Sequence, residues 1–131
     1  MPESSPFRTW TGRDAWEFVD GVRLHAICGE QVLLCRVTYE AGKQVTWHTH
    51  EYTEQVMIIT DGEVEMTIEE ETKTLKAGDV VVVNRGLRHK LYSDGGVSFI
   101  EALAPVPLDH VPDKGLDLVL GPDGGAQHVE R

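Results

Sequence analysis

Between Val22 and Ala104 short runs of β-branched and aromatic residues alternate with Gly, Asp and Asn, and no window of useful length carries helical periodicity. Strands of this length separated by turns restrict the chain to an all-β sandwich or barrel. VRLHAIC from Val22 and QVLLCRVTY from Gln31, split by Gly29-Glu30, read as a strand pair. VVVV from Val80 reads as a strand buried on both faces or in a sandwich core, LRHKLYS opens a strand at His89, and SFIEALA from Ser98 precedes Pro105.

The stretch with chemical content is GKQVTWHTHEYTEQVMIITDG, Gly42 to Gly62. Alternate residues of a strand share a side, so His48 and His50 can present both imidazoles to one metal ion, although two solvated histidines at a strand end would look the same. Asp61-Gly62 is a hairpin signal, followed by EVEMTIE with Val64, Met66 and Ile68 on its apolar face. A two-residue turn there would set Gln55 opposite Ile68, Met57 opposite Met66 and Glu54 opposite Glu69. Gln55 would then point inward and Glu54 outward; a bulge would exchange them. Val56 and Ile58 would lie outside, where they suit a subunit contact, and a homodimer is expected.

With 131 residues and no shift in composition the chain suits one core. The expected organisation is an N-terminal arm over 1–20, a barrel over 21–104 and a Pro/Gly-rich tail over 105–131 with a disordered end. A net charge of −10, from 22 acidic and 12 basic residues, repels phosphate backbones and anionic membranes, so neither nucleic acid nor membrane is an expected partner. No apolar run is long enough to span a bilayer and MPESSPFRTW lacks signal-peptide features, which leads to a soluble, cytoplasmic expectation. Cys28 and Cys35 form no CxxC and read as buried free thiols. Trp10 and Trp16 read as cover for a core edge, His25 as a solvated or interface residue, and Arg36 as a partner for a substrate carboxylate.

Taken together these residues resemble the cupin superfamily. Gly42, His48, His50 and Gly62 stand at the intervals of its first motif, with Gln55 where glutamate is usual. Gly78, Gly86 and His89 fit the second, with Asn84 for its proline and Ser93 for its asparagine. The resemblance implies a double-stranded β-helix, or jelly roll, holding a divalent transition metal (Zn, Fe, Ni, Mn or Cu) on His48, His50, Gln55 and His89. Four neutral ligands would leave the ion's charge uncompensated, which favours Lewis-acid chemistry over oxygen activation.

The function this implies is a metal-dependent enzyme acting on a small carbonyl- or enol-containing substrate, of isomerase, lyase or polyketide-cyclase type. The alternatives are an oxygen-using dioxygenase and a non-enzymatic small-molecule binder. Tyr52, Glu54, Tyr92 and Glu101 are the candidates for moving a proton.

Overall fold

The computed structural model describes residues 6–11, 15–106, 117–120 and 126–129. Among them are eleven strands and no helix: β1 (Trp16–Val19), β2 (Val22–Cys28), β3 (Leu33–Tyr39), β4 (Lys43–His48), β5 (Glu54–Ile68), β6 (Glu71–Lys76), β7 (Val80–Val83), β8 (His89–Ser93), β9 (Val97–Ala104), β10 (Asp117–Leu120) and β11 (Ala126–Val129). Nine join in a nearly closed antiparallel barrel. One layer runs β1-β2-β3-β9-β5-β7 and the other β4-β8-β5-β6, with β5 crossing from the first into the second. The arrangement is the expected jelly roll.

Asp61-Gly62 does not form a hairpin. β5 continues through both residues, and the chain reverses only after Ile68, which pairs with Glu71. The expected partners Gln55–Ile68, Met57–Met66 and Glu54–Glu69 are replaced by Gln55 with Val83 and Leu103, Met66 with Lys73 and Leu91, and Glu54 with Ala104.

What resembled a turn is a change of phase. Gln55, Met57 and Ile59 face the core, then Val64 and Met66 do, so inward positions switch from odd to even. A register shift between Ile59 and Asp61 against β9 inserts the extra residue. Such a bulge bends the strand and exchanges its faces, and the bend carries β5 from one layer into the other. Gln55 is nonetheless inward and Glu54 outward, because alternation within the first half of β5 decides both.

The core is centred on Phe99, Leu33, Met57, Ile59 and Leu103, each at most 2% exposed. VVVV departs from expectation: Val83 is buried and Val81 partly so, but Val80 and Val82 are 59% and 52% exposed. β7 pairs only with β5 and covers the barrel with one face alone. In the C-terminal tail β10 pairs with β11, and in the N-terminal arm β1 pairs with β2. Cys35 is buried; the side chain of Cys28, and residues Asp123 to Gly125 at the head of the tail's last segment, lie outside the described residues.

Gly62 has φ of +75°, and a Cβ built on it would run into the Gly96 carbonyl. Gly42 also has positive φ, +79°, but open space around it. Gly62→Ala is therefore expected to lower unfolding free energy in urea by more than about 1 kcal/mol, and by more than Gly42→Ala does. Equal losses would show that backbone conformation alone matters at Gly62.

Candidate metal centre

Val45 is an inward residue of β4, so strict alternation would turn His48 outward. The pairing of β4 with β8 shifts register between Val45, opposite Leu91, and His48, opposite His89. This second bulge returns His48 to the inner side, directly across from His89 at the start of β8. The two rings lie 4.1 Å apart between centroids. His50 stands beyond the end of β4, in a loop rather than on the strand, 5.3 Å from the His48 ring and 5.4 Å from that of His89. The Gly86 N–H donates to the His50 carbonyl (2.8 Å), tying this loop to the one that leads into His89.

One ring nitrogen from each of the three histidines lies within 4.8 Å of the other two. Their tautomers suit a cation. His48 Nδ1 donates to the Thr46 carbonyl (2.7 Å) and His89 Nδ1 to that of Leu87 (3.0 Å), which leaves each Nε2 as a lone-pair donor atom. His89 is fully buried and its Nε2 has no hydrogen-bond partner. A buried nitrogen without a partner is costly unless something binds there. Burial, then the neighbouring His48, pushes the His89 pKa down to about 4, and burial also lowers that of His48, so both are neutral at pH 7, as ligation requires.

Gln55 lines a cavity together with His48 and His50 and is 3% exposed. Its Nε2 donates to Glu101 Oε1 (3.0 Å), while its own Oε1 is buried without a partner. A neutral carbonyl oxygen in that state is a competent metal ligand. The donor set therefore fits a transition-metal ion. Glu101 sits on β9 between Cys35 and Met57, both inward residues, and burial raises its carboxyl to about 7 despite the opposing hydrogen bond from Gln55. The cavity lined by His48, His50, Gln55 and Glu101 has a volume of about 40 Å³, room for a few waters.

Of the four proton-transfer candidates, only Glu101 is placed with the histidines. Tyr52 is 62% exposed and Glu54 is exposed on the outer side, where both border a surface depression with Asn84 and Arg85. Tyr92 alternates out of phase with the buried Leu91 and Ser93, and its hydroxyl donates to Asp94 Oδ1 (3.2 Å) outside the barrel. Arg36 is likewise outside, between the buried Cys35 and Val37, so it serves no carboxylate in this cavity. Ser93, where the motif has asparagine, is fully buried and donates to the Glu63 carbonyl (2.7 Å), fastening β8 to β5. Tyr39 was missed: it lines the cavity, packs on Phe99 and is held neutral by burial. Its phase with Leu33, Cys35 and Val37 was the available signal.

In metal-free protein two titrations oppose each other. His89, with a lowered folded pKa, contributes stability above about pH 6.5 that is lost as pH falls through about 4. Glu101, with a raised folded pKa, contributes stability below about pH 4.5 that is lost as pH rises through about 7. Urea unfolding in chelator across this range is expected to show both slopes, and Glu101→Gln to abolish only the alkaline one. Persistence of that slope in the variant would assign it to another group.

The family profile for the cupin domain matches residues 35–102, just over half of the chain. Among solved structures, an RmlC-like cupin from Shewanella frigidimarina superposes with a TM-score of 0.76 at 20% identity, covering 85% of this chain and all of that one. KdgF from Halomonas sp. gives 0.68 at 21% identity over 71% and 88% of the two chains. The cupin domain of Schizosaccharomyces pombe Cnp3 gives 0.67 at 16% identity over 80% and 77%. The curated proteins contain no sequence match. With its jelly-roll barrel and the span of its profile match, the chain belongs to the cupin family.

Proposed function

We propose that this cupin is a metal-dependent enzyme for redox-neutral conversion of a small carbonyl- or enol-bearing compound, of isomerase, lyase or cyclase type. His48, His50, His89 and Gln55 hold a divalent transition ion, and Glu101 moves the proton. The observation that carries the reading is the Gln55–Glu101 hydrogen bond inside the cavity lined by His48 and His50. Glu101 is the one carboxyl among the described residues lining that cavity. When bound, the ion supplies Lewis acidity to a carbonyl or enolate oxygen.

Gln55 divides its amide between two tasks: Oε1 faces no protein donor and serves the cation, while Nε2 fixes one oxygen of Glu101. The other carboxyl oxygen is left to take or return a proton. The carboxylate absent from the ligand position is thus supplied one hydrogen bond farther out. There it softens the uncompensated charge that neutral ligands would leave and still acts as a base. Tyr39 and Phe99 line the cavity with aromatic surface that limits water.

A volume of about 40 Å³ admits the reacting end of a substrate and not a whole one. That size also favours a second reading, in which the metal staples the fold and turns nothing over. Metal analysis of wild type, His89→Ala, Gln55→Ala and Glu101→Gln, followed by turnover of β-dicarbonyl, uronate and aromatic polyketide substrates, separates the two. Near-stoichiometric metal is expected in wild type and Glu101→Gln and a loss in the other two. The kcat of Glu101→Gln should fall by about 100- to 10,000-fold. Metal with no turnover would support the staple. Undiminished turnover in Glu101→Gln would remove that residue from the mechanism.

A further inference from the structure

His48 rides on the edge of the smaller layer. β4 ends the sheet path and pairs with β8 alone among the described strands. Its start is well tied: the Gly42 N–H donates to the Ser93 carbonyl (2.8 Å), and Lys43 pairs with Asp20 (2.7 Å). Its other end is different. Between the pair Val45–Leu91 and the pair His48–His89, Thr46 and Trp47 stand against Lys90 alone. The rung that carries two histidines is thus cut off from the rest of its ladder by a bulge, at the end of an edge strand, where sheets fray first.

Side chains close this gap from both sides. On the inner side His48 Nδ1 donates to the Thr46 carbonyl (2.7 Å). On the outer side the half-buried Trp47 ring meets Arg88, whose guanidinium carbon is 4.5 Å from the ring centroid, and Lys90, whose Nζ is 4.9 Å away. Both distances fall inside the reach of a cation–π contact, about 6 Å. Arg88 and Lys90 flank His89 and are exposed where it is buried, so the indole reaches from β4 to the outer side of the chain directly behind His89. Neither cation forms an ion pair with an acid among the described residues, although acids outnumber bases by 22 to 12 in the chain. Arg88 is itself anchored: its N–H donates to Glu69 Oε1 (3.1 Å) and its carbonyl accepts from the Glu69 N–H (2.8 Å), which carries the contact through to the end of β5.

We infer that Trp47 is a positioning residue of the metal centre: through Arg88 and Lys90 it latches the end of β4 onto β8 and keeps His48 facing His89. The inference rests on the metal-binding reading of the histidines. His50 does not depend on the latch, because Gly86 holds its carbonyl from the other loop. Opening the latch therefore withdraws His48 and leaves His50, Gln55 and His89 in place, so that Trp47 governs how long a metal is retained.

Two measurements on the full chain test this. In metal-free protein, hydrogen exchange of the β4 amides is expected to quicken about 5- to 30-fold in Trp47→Leu, which keeps apolar bulk without a π face, while exchange in β9 stays unchanged. The double variant Arg88→Met, Lys90→Met should behave in the same way with the indole intact, and Trp47→Phe, which keeps a π face, should recover much of the protection. In protein loaded with cobalt(II), loss of the metal to excess EDTA, followed through the visible absorption bands, should quicken in the same order, with Gln44→Ala on β4 matching wild type. Trp47→Leu that exchanges and loses cobalt as slowly as wild type would overturn the latch. Leucine and phenylalanine variants that are equally fast would overturn it too, since packing alone would then be at work. A wild type that takes up no cobalt(II) would overturn the metal reading, and the order of exchange rates would still decide whether Trp47 latches β4.

Discussion

The strand residues in the interior of this barrel are there because of strand parity. A residue one position along a strand points the other way, so a single inserted residue exchanges core and solvent for everything beyond it. Of the three register shifts among the described strands, two set the lining of the cavity. Near Thr60 one keeps Val64 and Met66 in the core after Gln55, Met57 and Ile59. Between Val45 and His48 the other turns a histidine that simple alternation would expose toward the one on β8. Without the second bulge, His48 and His89 would be neighbours along a ladder with no common point between them.

This explains how much was legible in the sequence. The all-β class and the spacing of His48, His50 and His89 could be read, because turn residues and short β runs are local signals. Gln55 was correctly placed inward on a turn that does not exist. The inference survived because the parity of Gln55 relative to Met57 and Ile59 does not depend on the path of the chain beyond Gly62. The reversal was misread because an Asp-Gly pair and a change of phase are produced equally by a hairpin and by a bulged strand. Glu101 stood among four candidates, although its phase with Phe99 and Leu103 already distinguished it from Tyr92. The exposure of Val80 and Val82 could not be read, since a run of four valines has no parity to show.

The electrostatics of the cavity turn on one amide. Gln55 carries no charge, shares the cavity with His48 and His50, and donates to the carboxyl of Glu101 on the neighbouring strand. Burial discourages ionisation of that carboxyl and of His89 alike, and in opposite directions on the pH scale. At neutral pH, where a metal selects neutral imidazoles, the interior holds little fixed charge of its own.

β5 is hydrogen-bonded to β9 and β7 in one layer and to β8 and β6 in the other. Neither layer can peel away without breaking a ladder on this shared strand. The two sheets therefore form one cooperative unit, with no line along which half the molecule could melt. Breathing must be confined to the edges, at β1, β4, β6 and β7. Passage of a solute into the barrel is then governed by motion of single edge strands and of the loop bearing His50, with the strand that carries Gln55 as the fixed frame.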